Sequence, residues 1–299
     1  MNRLIPAIVV TVALSLVALP AHADDAAALF KQGLALKEQG KTDAAIKKLE
    51  EAVAVRATHA MAWASLGHLY KKKGEMEKAV SAYEKATGIV KDDSVLWSNL
   101  GMAYYRAKRP KDAVEALKTA CRLDPKNPDI HGNLGTIKRQ MGKKKEAIIH
   151  LELAYKYKSK DAVTANNLGI AYRVADRYKD AVKTFQAAIK LEPTVAQYHF
   201  NLGVVYRRME EVDKAIGAYQ QAANLDPTMA KAWYDLGHMH RLNHNNDKSI
   251  HAFKTYFDLT QESDPAGAED AAAQIEALGG KAPKAPKKKK KKKSKGKRK

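Results

Sequence analysis

The chain has 299 residues and a formal net charge of +20, from 53 Lys and Arg against 33 Asp and Glu. Its 45% hydrophobic content is enough to build a buried core, and its single cysteine rules out an internal disulfide framework. The excess of cations excludes a charge-balanced surface and favours anionic partners.

The chain opens with Arg3 and then an uncharged apolar run from Leu4 to Leu19, followed by Ala21-His22-Ala23. A cationic start, a short apolar run and a small-x-small site are the marks of an export signal. The run of 16 residues falls short of the ~20 that span a bilayer as a helix. Residues 1–23 are therefore expected to be a signal peptide cleaved after Ala23, with a retained anchor as the alternative. The mature chain is expected in the periplasm of a bacterium, or outside the cell.

From residue 26 a glycine returns every 34 residues, at Gly33, Gly67, Gly101, Gly135, Gly169, Gly203 and Gly237. A fixed period of this size means stacked supersecondary units. The units run 26–59, 60–93, 94–127, 128–161, 162–195, 196–229 and 230–263. With the marker glycine as position 8, the second unit reads Trp63 (4), Leu66 (7), Gly67 (8), Tyr70 (11), Gly74 (15), Ala79 (20), Tyr83 (24) and Ala86 (27). Positions 4, 7, 8 and 11 share one face of a helix, and 20, 24 and 27 share a face of a second. Small residues at 8, 20 and 27 would let the helices approach, with the large residue at 24 between them. Gly40, Gly74 and Gly142 fall in the turn between helices. Pro125, Pro193 and Pro227, at position 32, would end the second helix.

This pattern resembles the tetratricopeptide repeat, and it does so in all seven units. The resemblance implies an all-α, right-handed superhelical solenoid of seven helix-turn-helix repeats over residues 24–263. After it, Pro265 to Leu278 reads as an amphipathic helix with Ala271, Ile275 and Leu278 on one face, ended by Gly279 and Gly280. Residues 264–280 are expected to be a capping helix.

In the family the first helix of each repeat lines the concave face. Positions 2, 5, 6, 9, 12 and 13 fan over about 120° opposite the packed face. Position 6 is Asn99, Asn133, Asn167, Asn201 and then Asp235; position 12 includes Arg139, Arg173, Arg207 and Arg241. An asparagine amide can hold an extended backbone without reading its sequence, and arginine forks suit carboxylates. The asparagine ladder resembles that of the repeat portion of O-linked N-acetylglucosamine transferases, which implies an extended, acidic-biased peptide in the groove. Bonds within the solenoid are the competing role for these asparagines, and helix-dipole or solvated charge the competing role for the arginines. The carboxylate clamp of chaperone-binding relatives uses Asn and Lys at position 9. Here that position holds Leu34, His68, Met102, Thr136, Ile170, Val204 and His238, so a chaperone tail is not the expected ligand. His238, His240, His244 and His251 are read as structural or polar rather than as a metal site, and Cys121 as a buried thiol.

The tail, 281–299, holds 13 Lys or Arg and no acid, leaving +6 for residues 24–280. Such a block cannot fold alone. The run Lys287, Lys288, Lys289, Lys290, Lys291, Lys292 and Lys293 is expected to form a disordered arm that tethers the protein to an anionic membrane or polysaccharide surface. Export argues against nucleic acid as the partner in vivo. No nucleophile–base set, acid pair or phosphate loop stands in register, so neither an enzyme nor a cofactor is expected. The reading is a protein–protein scaffold. Its rival is an anionic-polymer binder that acts mainly through the tail.

Overall fold

A computed structural model describes residues 21–283, with side chains from Asp24 onward. Residues 1–20 of the expected export segment and the Lys287–Lys293 run lie outside the described residues, and residues 21–23 of that segment open the first helix. Among the described residues there are fifteen α-helices and no strand. No described helix is long and apolar enough to cross a membrane. The described residues fold as two compact units that divide between Pro125 and Lys126.

The first unit contains α1 (Ala21–Glu38), α2 (Thr42–Val55), α3 (Ala60–Lys73), α4 (Met76–Ile89), α5 (Ser94–Arg106) and α6 (Pro110–Leu123). The second contains α7 (Pro128–Gln140), α8 (Lys144–Tyr157), α9 (Ala162–Val174), α10 (Tyr178–Leu191), α11 (Ala196–Arg208), α12 (Val212–Leu225), α13 (Ala230–Leu242), α14 (Asn246–Thr260) and α15 (Pro265–Ala277). Up to α14, odd- and even-numbered helices pair into seven hairpins, and within each unit the second helix of one hairpin packs on the first helix of the next. This is the all-α repeat solenoid expected from the 34-residue period.

Each hairpin closes on its marker glycine. A Cβ on any of the seven would lie 2.6–2.9 Å from the position-24 side chain, namely Leu49, Tyr83, Leu117, Leu151, Phe185, Tyr219 or Phe253. Real Cβ atoms do not come so close, so the glycine sets the distance between the helices. The position-24 side chains are fully buried, as are Ala45, Ala79, Ala113, Ala147, Ala181 and Ala215 at position 20. Ser249 replaces the last alanine without leaving a bare hydroxyl, because its Oγ donates to the Gly237 carbonyl at 2.8 Å.

The turn repeats as closely as the core. Position 15 is left-handed in every hairpin, at Gly40, Gly74 and Gly142 but also at Lys108, Asp176 and Glu210 (φ 60) and His244 (φ 54). The backbone conformation is therefore imposed by the hairpin and not by the residue. Side-chain caps start α5 (Asp93), α7 (Asn127), α9 (Asp161) and α15 (Asp264). α6, α10 and α12 each end two residues before Pro125, Pro193 and Pro227. α15 buries Ala268, Ala271 and Ile275 against Phe253, Tyr256 and Phe257 of α14, which caps the array. Cys121, expected to be buried, is half-buried on α6. Burial and then Asp124 push its thiol up.

At position 4 of the fourth repeat, tryptophan is replaced by His131, which is buried. Its Nδ1 lies 3.2 Å from His150 Nδ1 on α8, so one proton must serve both rings. Burial, then His131 and Lys138, push His150 down to about 4, with Glu146 opposing. His59, His68, His238 and His240 are also lowered, in each case first by burial.

Two predictions follow from this packing. Gly203→Ala is expected to lower stability, because overpacking costs about 1–3 kcal/mol while helix propensity returns only about 1 kcal/mol. Glu210→Gly, seven residues on, is expected to raise it by about 0.5–1 kcal/mol, the left-handed cost less the added freedom of the unfolded chain. Urea unfolding of both variants reads the pair, and an unchanged midpoint in Gly203→Ala would contradict the close approach. The histidines set a pH dependence. A folded pKa below the unfolded ~6.5 means that the unfolded chain binds more protons, so stability falls as pH drops from about 6.5 toward 4. The urea midpoint should decline over that interval, and should decline less in His150→Gln.

Candidate functional site

The packed face of each first helix is held by two contacts between repeats, both built from repeating positions. At position 4, the ring nitrogen of Trp63, Trp97 and Trp233 donates to the carbonyl six residues earlier, at Ala57, Lys91 and Pro227 (2.8, 2.8 and 3.0 Å). His199 Nε2 occupies the same place against Pro193 O at 2.9 Å. At position 11, the tyrosine hydroxyl donates to a glutamate twenty residues earlier: Tyr70 to Glu50 (2.5 Å), Tyr104 to Glu84 (2.6 Å) and Tyr172 to Glu152 (2.7 Å). A cation from the start of the following helix or the residue just before it lies over the same ring, Lys78 on Tyr70, Arg109 on Tyr104 and Arg177 on Tyr172, with centroid distances of 5.5, 4.5 and 4.4 Å. In the fourth repeat Lys138 takes the tyrosine's place, buried, with its ammonium on Glu146. Sequence reading found tyrosine at position 11 but not its partner, since the glutamate belongs to the preceding repeat.

With that face fixed, positions 6, 9 and 12 lie on the opposite side of each first helix. In the first unit these are Lys31, Leu34 and Lys37 on α1, Ser65, His68 and Lys71 on α3, and Asn99, Met102 and Tyr105 on α5. Asn99 is half-buried. Burial and then Arg106 lower the Lys71 ammonium; burial and then Lys37, Lys71 and Lys72 lower His68.

In the second unit the ladders separate by state. Asn133 on α7 and Asn167 on α9 are half-buried. Asn201 on α11 is only 5% exposed; its Nδ2 donates to Asn166 Oδ1 at 2.8 Å, and its Oδ1 accepts from Gln197 Nε2 at 3.1 Å. Both ends of its amide are thus engaged inside the protein. Asp235 on α13 is 13% exposed at its side chain and pairs with Arg207 Nη1 at 3.4 Å. Burial raises its carboxyl, while Arg207, Tyr219 and His238 work against the rise. The fully buried Tyr219 hydroxyl lies beside this pair without a well-formed hydrogen bond. Arg241 donates to Gln274 on the capping helix.

Arg139 and Arg173 differ from the other two arginines. Both are half-buried, and the Nε of each is shut away from solvent without an acceptor. Among the described residues no ion pair holds either guanidinium. Arg173 is disfavoured as a cation by burial first, then by Arg139, Arg208 and Arg207. A desolvated cation facing other cations is costly unless an anion joins it. Arg139 and Arg173 are thus left without an internal partner, on the same helices as Asn133 and Asn167, while Asn201, Arg207, Asp235 and Arg241 are engaged internally. Position 9 between them is Thr136 and Ile170, both half-buried.

His240 is buried, and its Nδ1 has no partner. His238 packs edge-on against Tyr234 and Phe253, and His251 against Trp233. Among the described residues no three His, Cys, Asp or Glu side chains are placed to share a metal ion.

Comparison with known proteins accounts for the hairpins. The family model described as the cilia and flagella-associated protein 70 C-terminal domain, a tetratricopeptide domain, matches residues 11–230. A second model, described as tetratricopeptide repeat, matches residues 205–266. The chain belongs to the tetratricopeptide-repeat family. Among solved structures, this repeat protein is similar to MamA at 25% identity and a TM-score of 0.53, covering 56% of this chain and 97% of MamA. It is similar in fold to YrrB, described as a tetratricopeptide protein with an unusual peptide-binding site, at 22% identity and a TM-score of 0.54, covering 62% and 95% of the two chains. The C-terminal part of a repeat protein from Cytophaga hutchinsonii aligns over 81% of this chain and 98% of its own, at 16% identity and a TM-score of 0.66. No curated protein matches the sequence.

The state of Arg173 gives a test that needs no ligand. Arg173→Met keeps the stem and removes the desolvated charge, so it is expected to raise the melting temperature of the free protein by a few degrees. A fall instead would mean that the guanidinium holds the fold together.

Proposed function

We propose that this tetratricopeptide protein is an exported scaffold of the bacterial envelope that holds an extended, acidic-biased segment of another protein. The family supports an interaction role in general terms. The observation that carries the finer reading is the pair of half-buried arginines, Arg139 and Arg173, whose charges find no counter-ion among the described residues and which stand one repeat apart on the helices that also carry Asn133 and Asn167. A carboxylate on each guanidinium would relieve the desolvated charge, and the amides offer donors and acceptors to a backbone. YrrB, with a peptide-binding site on the same fold, illustrates that such repeats can carry one. The Leu4–Leu19 run supports export.

A second reading rests on the tail, with its 13 cations and no acid. In it, lipid headgroups, lipopolysaccharide or an acidic glycan bind the arm, and the repeats carry it. Counter-ion release makes such binding fall steeply with salt.

The two readings part in one experiment. Residues 24–299 and 24–280 are titrated with an acidic peptide and, separately, with anionic vesicles at low and high salt. The groove reading expects the peptide to bind both forms with a shallow salt dependence, and to bind the Asn133→Ala/Asn167→Ala double variant about tenfold more weakly with helicity intact. Wild-type affinity in that variant would contradict it. Vesicle binding is expected to disappear with the tail.

A further inference from the structure

On the side of α5 away from its groove positions, a cleft opens between the second helices of two neighbouring repeats. Its volume is about 550 Å³, within the range of small-molecule sites. The floor is the packed face of α5, formed by Trp97, Leu100 and Tyr104, and the walls come from α4 and α6. All of it belongs to the first unit.

The neutral polar groups of this cleft are already bonded. Trp97 Nε1 donates to the Lys91 carbonyl at 2.8 Å, and the Tyr104 hydroxyl donates to Glu84 at 2.6 Å. On the walls, Thr87 and Thr119 donate to carbonyls of their own helices, at Tyr83 (3.0 Å) and Glu115 (3.3 Å). What remains is an apolar hollow floored by a half-buried indole whose orientation is fixed. Two of its lining residues bring free charge. Among the described residues no ion pair holds Lys91 or Arg122, and both line the cleft. Against them stands one carboxylate, Glu84, which accepts the Tyr104 hydroxyl. Arg109, over the Tyr104 ring, is already paired with Asp112 at 2.7 Å.

Gly88 leaves one wall bare. It is the last residue but one of α4, where glycine is a poor helix former. Its φ is not positive and a Cβ there would meet nothing within 4 Å, so neither backbone nor packing requires a glycine. The same repeat position, 29, carries a side chain in every other repeat. At the other two tryptophans, Trp63 and Trp233, the equivalent wall residues are Ala54 and Asn224.

We propose that this cleft binds a small planar aromatic carboxylate, with its ring on Trp97 and its carboxylate toward Lys91 and Arg122. The indole takes a second ring by offset stacking, and the free cations supply charge-assisted contacts. The missing side chain at Gly88 gives the ring its room. The site is separate from the peptide groove and does not depend on it.

The test titrates the full-length chain with 2-naphthoate, with uncharged 2-naphthamide and with cyclohexanecarboxylate, read by calorimetry and by the indole Nε1–H resonances. 2-Naphthoate is expected to bind about tenfold more tightly than either of the others and to shift Trp97 but not Trp63 or Trp233. Gly88→Leu fills the cleft from an exposed helical position. It should melt no lower than the parent and bind 2-naphthoate at least about tenfold more weakly. Lys91→Gln/Arg122→Gln should lose about tenfold for 2-naphthoate and nothing for 2-naphthamide. The basic tail is present in every arm, so it does not separate parent from variant. Parental affinity for 2-naphthoate in either variant, equal affinity for the three probes, or shifts shared by all three tryptophans would overturn the site.

Discussion

A glycine pressed against the side chain sixteen residues on is the contact that everything else in this protein depends on. It brings the two helices of each hairpin closer than any side chain allows, and it recurs seven times without a change of period. Because the approach is fixed, the connecting turn has one solution. The residue at position 15 is left-handed whether it is glycine, lysine, aspartate, glutamate or histidine. The strain at Lys108, Asp176, Glu210 and His244 is accepted locally because the packing on either side over-determines the turn.

The same constraint orients the first helices. With one face closed by glycine and leucine, and with tyrosine at position 11 tied to the previous repeat, the remaining face has no freedom to turn inward. Polar groups placed there are either matched by a neighbour or left for something else. Asn201, Arg207 and Arg241 are matched, by Asn166, Asp235 and Gln274. Arg139 and Arg173 are not. A half-buried guanidinium without a counter-ion costs the free protein stability, a cost characteristic of binding sites.

The hairpins were readable from the sequence because their determinants are periodic and local. Gly67 and Tyr83 sit in one repeat at a spacing that recurs, so their contact could be anticipated from side-chain size alone. The left-handed turns at Lys108 and Glu210 could not, since neither residue favours that conformation and only the fixed helices impose it. The candidate site was readable as two columns of side chains and no further. That Asn201 is spent on Asn166 depends on a residue 35 positions away, and the Arg207–Asp235 pair crosses between repeats in the same way. Periodicity finds equivalent positions; it does not say which of them are satisfied by a neighbour. The tyrosine–glutamate ties escaped for the related reason that each joins two repeats.

The separation of engaged from unengaged arginines is the central claim, and the side-chain Nε–H resonances of the arginines report on it directly. In a 1H–15N spectrum of the protein titrated with a short acidic peptide, the resonances of Arg139 and Arg173 are expected to shift together and saturably. Those of Arg207 and Arg241, held by Asp235 and Gln274, should move little. Equal shifts at all four positions, or none at Arg139 and Arg173, would contradict the account.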